Sequence, residues 1–599
     1  MLEPETQSLL LTEQSEYGGT CSLNESVLES VDPITLSWKD VCVSVTKGGR
    51  KLLQNVNGLA RPGEVVAGAG KTTLLNTLLQ RNLKGLSVDG EVLVNGQQIG
   101  RGITAVSGYA QQEELFVGTL TAKLRVRAPK EKREKRVSVV LRQLGLYKCQ
   151  HTRIGVMGVK KGISGGEARR LTFACELLSN PAVLFCDEPT TGLDSYMAES
   201  VVQLLSRIAH SGRTVLCTIH QPASQLYALF DSVLFLAGGR TAFLGSPSSS
   251  ISFFNSAGYP CPRDYNPADL FIHTLAIVPD EEEECQQRID AICSHFERGT
   301  HGKALQAQLD AIEPSEVPEG RKKVGVVSQM SALFHRASLD NWRNPSLYRA
   351  KLVQKTIMGL FIGLLYLQTP LSPIGISNIN GALFYIVAEL TYSTLFGIIT
   401  FLPQDYPLVV REYHDGLFNI FSYFISKSLS YVPLFTMDGL VMVLICYWMV
   451  GFSSSFGQVM AAILICLLIE QSSSAFGVML STISPSYAVA VSLGGPLLTL
   501  LSLTGGLYAN VGALPSYIGW IQYLSWFRYG FEALTINQWT RVNGVNETTW
   551  DDKARDEVLA SYSFSASNLW LDQILMFGFI VLFYVIGFLG LSYRVRKSR

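Results

Sequence analysis

Long apolar stretches divide the sequence into two unlike halves. Crossing the hydrocarbon core of a bilayer takes roughly 20 apolar residues, and residues 1–345 contain no stretch of that kind. The apolar stretches begin after residue 346, at about 352–368, 378–402, 430–453, 457–482, 487–508 and 569–593. They predict an all-α polytopic membrane domain of six transmembrane (TM) helices over 346–599, behind a soluble N-terminal half.

The composition agrees with a membrane protein. Charged residues make up 16% of the 599 residues, against roughly 25% in soluble domains, and the mean hydropathy is +0.22. The 49 basic and 49 acidic residues cancel, which excludes the strongly basic surface of a nucleic-acid-binding protein. The acidic N-terminus lacks the basic and apolar parts of a secretory signal, so we expect residues 1–32 to be a disordered cytoplasmic tail.

An even number of spans returns the C-terminus to the cytoplasm, where the positive-inside rule also places its basic residues. The long segment 509–568 is then extracellular, and its Asn546-Glu547-Thr548 triplet predicts glycosylation of Asn546. The aromatic residues of 515–531 fit either an interfacial belt or a re-entrant helix pair that caps a cavity. The sequence does not distinguish the plasma membrane from an intracellular vesicle membrane.

A glycine-rich turn in the soluble half has the chemistry of a phosphate site. It separates a short β-like run from an apolar helix that starts at Leu74. Backbone N–H groups in such a turn bind phosphate oxygens, with the positive end of the helix dipole behind them. Lys71 would reach the β- and γ-phosphates, and the Thr72 hydroxyl would hold Mg²⁺. The predicted nucleotide-binding residues of the turn are Gly68, Gly70, Lys71, Thr72 and Thr73.

Two acids follow the buried apolar run 182–186. Asp187 suits the Mg²⁺ shell, and Glu188 suits the polarisation of an attacking water. Phosphoryl transfer depends mainly on positioning and charge neutralisation, and an ordinary strand end explains one acid poorly and two worse. We therefore predict that Glu188 is a catalytic carboxylate and that Asp187 is a metal ligand.

The motifs around these acids occur in a fixed order along the chain. After the glycine-rich turn come Gln112, the turn Ser164-Gly165-Gly166 at a helix start, the two acids, Asp194 and His220. This set resembles the ATP-binding cassette (ABC) ATPases, with their Walker A, Q-loop, signature, Walker B, D-loop and switch histidine. Each motif alone is a weak signal, but six in order make the resemblance specific.

Further features narrow the resemblance to the G subfamily, the white-type half-transporters. The cassette precedes the membrane domain, Asn266–Phe271 follow the cassette motifs, and Arg411-Glu412 lie in the cytoplasmic loop expected after the second span. The resemblance implies an α/β P-loop ATPase domain over 33–275, with a RecA-like core, an ABC β-subdomain and a helical subdomain. A linker and connecting helix over 276–345 would join it to the membrane domain. ATP and Mg²⁺ are the implied cofactors, and the implied partner is a second copy or another G-subfamily half.

The resemblance also implies roles for single residues. Ser164, Gly165 and Gly166 would contact the γ-phosphate of ATP held by the partner chain. His220 would act in catalysis by sensing that phosphate. Gln112 would touch Mg²⁺ or water and relay the nucleotide state to the membrane domain. Asp194 would belong to the same nucleotide site.

Three acids lie within the apolar stretches, at Glu389, Asp438 and Glu470. Ionisable groups in a membrane are costly and often functional, although the serines beside Glu470 favour helix packing there. In the family the second and fifth spans line a substrate cavity, for which the candidates are Glu389, Tyr392, Phe396 and Leu507. A cavity so poor in cations favours a lipid-like or small amphipathic cargo, taken from among membrane lipids or other small molecules.

The glycine-rich turn departs from the family pattern. A Walker A motif reads G-x-x-x-x-G-K-[ST], but the position five before Gly70 is Val65. Either Val65–Ala69 form the loop and the strand nearly vanishes, or they form the strand and the loop loses phosphate-facing N–H groups. A second segment, after Thr121, is also short. Both gaps favour a faulty gene model or a splice variant, and the rival explanation is a real, degenerate ATP site.

The sequence thus predicts an ABC-type ATPase and translocase. As a half-transporter it would dimerise and couple ATP hydrolysis to export of a lipid-like or small amphipathic molecule. The alternative is a catalytically weak regulatory half that supplies its signature motif to a heterodimeric partner. An ATP-gated channel is a third reading of the same motifs.

Mass spectrometry of the native protein tests the short Walker A. Trypsin does not cut at Arg61-Pro62, so this sequence predicts a peptide from Leu52 to Lys71. We expect a heavier peptide with about five extra residues, because a complete phosphate loop requires them. Detection of the unextended mass would show that the gap is real and would move the regulatory-half reading to first place.

Overall fold

The computed structural model describes residues 31–69, 72–81, 83–113, 115–120, 131–155, 162–318, 324–401, 403–453, 455–540 and 552–598. The chain divides into two compact units between residues 322 and 323. Three predicted site residues, Gly70, Lys71 and Asn546, lie outside the described residues, as do most of the N-terminal tail and the segment after Thr121.

The described strands all belong to the first unit. They are β1 (Leu36–Val45), β2 (Lys51–Ala60), β3 (Val65–Ala69), β4 (Leu86–Val94), β5 (Ser107–Ala110), β6 (Val183–Cys186), β7 (Thr214–Thr218), β8 (Ser232–Ala237) and β9 (Arg240–Gly245). One sheet is antiparallel with the order β2-β1-β4, and the other has the order β5-β6-β7-β3-β8-β9. In the larger sheet only β9 pairs antiparallel.

Helices accompany the sheets of this unit. They are α1 (Thr73–Leu79), α2 (Ile103–Val106), α3 (Glu131–Gln143), α4 (Gly165–Leu177), α5 (Ser195–His210), α6 (Ser224–Tyr227), α7 (Pro247–Ser256), α8 (Pro267–Thr274), α9 (Glu282–Arg298) and α10 (Thr300–Asp310). The central strands β6 and β7 are buried along their whole length, as expected of parallel strands covered on both faces. This is the predicted α/β architecture, with a separate antiparallel sheet.

Trp38 shows how tightly the antiparallel sheet is packed. Its side chain is fully buried on β1 and belongs to the core of the first unit. The ring lies against Gly58 on β2, where an added Cβ would approach a ring carbon to 2.2 Å. Glycine is therefore the residue that fits opposite this indole.

The segment 276–318 is more ordered than the predicted linker. The run Glu282–Glu284 forms the first turn of α9, where acidic side chains interact favourably with the helix dipole. The opposite face of α9 is buried through Cys285, Ile289, Ile292, Cys293 and Phe296, and the helix packs against β9. The acidic run is thus a helix start, and α9 and α10 belong to the first unit.

The second unit is helical throughout its described residues. Its helices are α11 (Val326–Arg343), α12 (Pro345–Leu365), α13 (Pro373–Phe401), α14 (Tyr406–His414), α15 (Ile420–Val450), α16 (Phe456–Ile483), α17 (Tyr487–Leu503), α18 (Ser516–Gly519), α19 (Trp526–Thr540), α20 (Asp552–Ala560) and α21 (Leu569–Lys597). Short 3₁₀ turns stand at 403–405, 511–513, 520–524 and 566–568. An all-helical membrane domain is therefore confirmed.

Four described helical segments are long and apolar enough to cross a membrane. They are Pro373–His414, Ile420–Val450, Phe456–Ile483 and Ala566–Lys597, and Tyr487–Leu503 is a shorter apolar helix. A helix also covers the first predicted stretch, but α12 carries Lys351 and Lys355. Helices therefore occupy all six predicted stretches, while six crossings stay a prediction.

The aromatic residues of 515–531 divide into two groups. Trp526, Phe527 and Phe531 lie on α19 and are fully buried in the core of the second unit. Tyr517 and Trp520 precede α19 and are largely exposed. The buried group is what a helix packed within the domain requires, and the exposed group suits an interfacial belt.

The predicted Arg411-Glu412 pair lies buried on α14. Glu412 accepts a hydrogen bond from Arg336 on α11, with Nη1 and Oε1 2.7 Å apart. Removing one partner of such a pair would leave the other charge buried and uncompensated. This contact therefore fixes α11 to α14 within the second unit.

Candidate functional site

The predicted site residues of the first unit gather at the carboxyl ends of neighbouring parallel strands. Asp187 and Glu188 follow β6 directly, and His220 follows β7 by two residues. Because β7 lies between β6 and β3, Gly68 near the end of β3 comes to the same edge of the sheet. Ligands of open α/β sheets bind at this edge.

Both carboxylate oxygens of Asp187 accept hydrogen bonds from hydroxyl groups. Thr218 Oγ1 donates to Oδ1 at 2.7 Å, and the Tyr109 hydroxyl donates to Oδ2 at 3.2 Å. Burial raises the pKa of Tyr109 far above its usual value, and the Asp187 charge raises it further. The phenol therefore stays protonated and keeps its role as a donor, so Asp187 is held in one orientation.

Glu188 adopts a left-handed backbone conformation with φ +47°, which costs a residue with a side chain about 1–3 kcal/mol. Its amide donates to Thr218 Oγ1 at 2.8 Å. Its Oε2 accepts hydrogen bonds from Gln112 Nε2 at 2.6 Å and from Thr191 Oγ1 at 3.1 Å. The structure thus brings the predicted residues Glu188 and Gln112 into direct contact.

The residues predicted to hold Mg²⁺ offer the oxygen ligands that this ion prefers, namely a carboxylate, a hydroxyl and an amide carbonyl. Thr72 is exposed at the start of α1, and its side chain makes no capping hydrogen bond there. Its hydroxyl, Asp187 and the Gln112 amide would hold the ion, directly or through water. The donor set therefore fits Mg²⁺, which when bound would neutralise phosphate charge.

Of the two alternatives for the glycine-rich turn, the strand is the one that forms. β3 extends over Val65–Ala69 and pairs with both β7 and β8. In the sequence only Gly70 and Lys71 then remain before Thr72. A longer loop would present more backbone N–H groups to the phosphates. Because Val65–Ala69 form β3 instead, fewer N–H groups are left to bind phosphate.

A cavity of about 530 Å³ opens beside these strand ends. Among its lining residues are Gly68, Thr73, Glu188, Thr218 and His220. The structure therefore brings together residues from the predicted Walker A, Walker B and switch regions. Of the residues that the structure describes, none from the signature turn 164–166 lines this cavity.

The signature residues form a helix start of their own. Ser164 caps α4 in a reciprocal capping box with Glu167: its Oγ accepts from the Glu167 amide at 3.2 Å, and Glu167 Oε2 accepts from the Ser164 amide at 2.8 Å. Asp194 caps α5 by accepting from the Met197 amide at 2.8 Å. An added Cβ on Gly166 would approach Met197 Cε to 2.1 Å, so the two helix starts are neighbours.

Comparison with known proteins identifies the family. Family models described as "ABC transporter" and "ABC-2 type transporter" match residues 53–191 and 328–539, and a further "ABC-2 type transporter" model matches 220–296. "ABC transporter ATP-binding protein/permease wht-3" of Caenorhabditis elegans is 45% identical over 97% of this chain and 98% of its own length. In Drosophila melanogaster, Protein white is 39% identical (92% of this chain, 84% of its own), and Protein scarlet is 36% identical (94% and 90%).

The chain belongs to the G subfamily of ABC transporters. It is a white-type half-transporter, an integral membrane protein with an ABC-type ATPase and translocase activity. The ATP-binding cassette forms the first unit and the ABC-2 type membrane domain lies in the second.

The substrate-cavity candidate Glu389 has an internal partner in this half-transporter. Lys355 is fully buried, and its Nζ lies 3.7 Å from Glu389 Oε1. The same ammonium group donates to the Glu389 carbonyl oxygen at 3.0 Å. This ion pair joins α12 to α13, and it gives Glu389 a helix-packing role.

The other cavity candidates keep part of their surface exposed. Tyr392 and Phe396 are half-buried on α13, and Leu507 is half-buried after α17. The Tyr392 hydroxyl lies 3.5 Å from Thr499 Oγ1, and its ring centroid lies 6.1 Å from that of Phe527. Tyr392 therefore bridges the second and fifth predicted spans.

Sequence reasoning missed Thr218 and Tyr109, which the half-transporter uses to hold Asp187. Both are hydroxyl-bearing residues at or near the ends of buried strands, β7 and β5. A polar residue at the carboxyl end of an otherwise apolar strand is the signal that could have identified them. Thr218 also lies only two residues before His220.

We expect Glu188→Gln to abolish ATP hydrolysis while the protein still reaches the membrane. The amide keeps the size of the side chain, but it cannot act as a carboxylate toward the attacking water. Phosphate release by the purified chain and surface or vesicle fractionation measure the two properties. Normal turnover in the variant would contradict the assignment.

Proposed function

We propose that this half-transporter dimerises and exports a lipid-like or small amphipathic molecule. The observation that supports a dimer is the separation of the signature turn from the cavity of the same chain. The capped start of α4 presents Ser164 and Gly165 at the surface of the first unit, away from the described lining of the cavity at Glu188. A second half would supply the missing helix start to the γ-phosphate, as helix N-termini do for anions.

The contacts of the predicted cavity residues support an amphipathic cargo. Tyr392 offers an aromatic face and a hydroxyl beside Thr499. The nearby cations are already engaged, because Lys351 donates to Ser393 Oγ at 3.0 Å and Lys355 pairs with Glu389. An anionic cargo would have to displace these contacts to reach either ammonium group, whereas a flat apolar body with a polar end would match the ring and the hydroxyl of Tyr392.

Two inactive variants test the dimer when they are expressed together. We expect no ATPase activity from Glu188→Gln alone or from Gly165→Asp alone, since an added carboxylate at the start of α4 would repel phosphate. Co-expression should restore activity, because a mixed dimer joins the intact acid of one chain to the intact signature of the other.

The control places both substitutions in one chain and co-expresses it with Glu188→Gln, which should restore nothing. Failure of the first pair to recover, with an active wild type, would contradict a dimer with shared sites. An inactive wild type that gains activity only with another G-subfamily half would instead support the regulatory reading.

Uptake into inverted vesicles tests the cargo. With an NBD-labelled sterol as the probe, we expect ATP-dependent uptake that falls about tenfold in Tyr392→Ala, the usual scale for a lost pocket contact. Tyr593→Ala removes an exposed tyrosine at the far end of α21 and should leave uptake unchanged. ATP-dependent uptake of carboxyfluorescein in place of the sterol would contradict the proposed cargo class, and an ion current would favour a channel.

A second candidate function is the catalytically weak regulatory half. The observation that favours it is the use of Val65–Ala69 as a strand, which leaves few backbone N–H groups for phosphate. Its signature turn would still complete an ATP site on another half. ATP hydrolysis by the chain expressed alone would exclude this candidate.

We further propose that both termini are cytoplasmic and that Asn546 is glycosylated on the opposite side. The host membrane is the plasma membrane or that of an intracellular vesicle. The basic C-terminal residues of α21, Arg594, Arg596 and Lys597, support this orientation by the positive-inside rule.

A further inference from the structure

One hydroxyl group contacts both acids of the nucleotide site. Thr218 ends β7 and is buried. Its Oγ1 lies 2.7 Å from Asp187 Oδ1 and 2.8 Å from the Glu188 amide nitrogen. A hydroxyl has one proton to donate and lone pairs to accept with, so it donates to the carboxylate and accepts from the amide.

We propose that Thr218 is a positioning residue for ATP hydrolysis, which fixes Asp187 and Glu188 relative to each other. It acts through the two acids and need not touch ATP itself. Since it lies two residues before His220 on the same chain segment, it also ties both acids to the strand that carries the switch histidine.

The backbone at the end of β6 explains why this hydroxyl is needed. The Asp187 amide still donates to a main-chain oxygen, that of Ala110 on β5, at 2.8 Å. At Glu188 the chain turns into the left-handed region, and the amide donates to the Thr218 side chain instead. The threonine hydroxyl thus takes the place of the main-chain oxygen that would accept this hydrogen bond in a regular sheet. It thereby stabilises the unfavourable backbone conformation of Glu188.

Tyr109 provides an internal comparison. It donates to the other oxygen of Asp187 at 3.2 Å and belongs to β5, on the far side of β6. Loss of the Tyr109 hydroxyl would therefore affect the metal-binding acid, whereas loss of the Thr218 hydroxyl would affect both acids. The two substitutions separate an effect on Mg²⁺ from an effect on the position of Glu188.

The test compares Thr218→Val and Tyr109→Phe in the full chain, reconstituted in lipid nanodiscs. For Thr218→Val we expect kcat to fall about 10²-fold with little change in KM for ATP, the scale of a misplaced catalytic group. The Mg²⁺ concentration for half-maximal activity should rise in both variants. In Tyr109→Phe the fall in kcat at saturating Mg²⁺ should be much smaller.

A second readout needs no turnover. Mn²⁺ binding with ATP, followed by electron paramagnetic resonance, should weaken in Thr218→Val and in Tyr109→Phe. Thr218→Ser keeps the hydroxyl and should rescue both kcat and Mn²⁺ affinity. Thr214→Val removes another buried hydroxyl from β7, one that bonds the Ile34 carbonyl far from the acids, and should leave Mn²⁺ binding unchanged.

Unchanged kcat and unchanged Mn²⁺ affinity in Thr218→Val would overturn the proposal. So would a Thr214→Val variant that reproduced both defects, since a general weakening of β7 would then explain them. Should Thr218→Val fold poorly, Thr218→Ser and Thr218→Ala carry the same comparison, with the defect expected only in the alanine variant.

Discussion

Two carboxylates stand at the end of a strand that is buried along its whole length, and the first unit is arranged to hold them there. Neighbouring strands on both sides contribute a hydroxyl to Asp187. Glu188 keeps a strained backbone because its amide and its carboxylate both have partners. In a parallel sheet the carboxyl ends of all strands lie at one edge, so the residues that follow different strands come together there.

Buried charge plays the corresponding part in the second unit. Lys355 on α12 pairs with Glu389 on α13, and Thr394 on α13 donates to Glu470 on α16 at 3.2 Å. Asp438 lies buried on α15. An isolated ionised group in such surroundings would be expensive, and these contacts give Lys355, Glu389 and Glu470 polar partners on neighbouring helices. They join α12 to α13 and α13 to α16.

Much of the nucleotide site was predictable from the sequence, because its motifs are short and keep a fixed order. The structure brings Glu188, Gln112 and His220 to one edge of the sheet, while their roles stay predictions. Thr218 and Tyr109 could be noticed as polar residues near strand ends, but their hydrogen bonds to Asp187 could not be predicted, since these depend on which strands become neighbours in the sheet. Pairing between β5, β6 and β7 is a long-range property that no local pattern records.

The limits of local pattern also appear at residues 281–284. Four consecutive glutamates resemble a solvated linker, yet three of them form the first turn of α9. The decisive signal was the apolar stripe that follows, from Cys285 to Phe296 at helical spacing. In the second unit, long apolar stretches predicted α12, α13, α15, α16, α17 and α21. They did not predict the buried helix α19, which lies within the segment 509–568 that was expected to be an extracellular loop.

The capping box at Ser164 has a consequence for how two halves could meet over one nucleotide. In the box the serine oxygen accepts a hydrogen bond from Glu167, which occupies a lone pair and not the hydroxyl proton. That proton remains available to an anion, and the serine backbone is already fixed by the return bond from Glu167. Ser164 would therefore already be ordered before a phosphate held by the partner half reached it, because its conformational entropy was lost when the first unit folded. The main cost of this contact when the two halves associate would then be the desolvation of the phosphate.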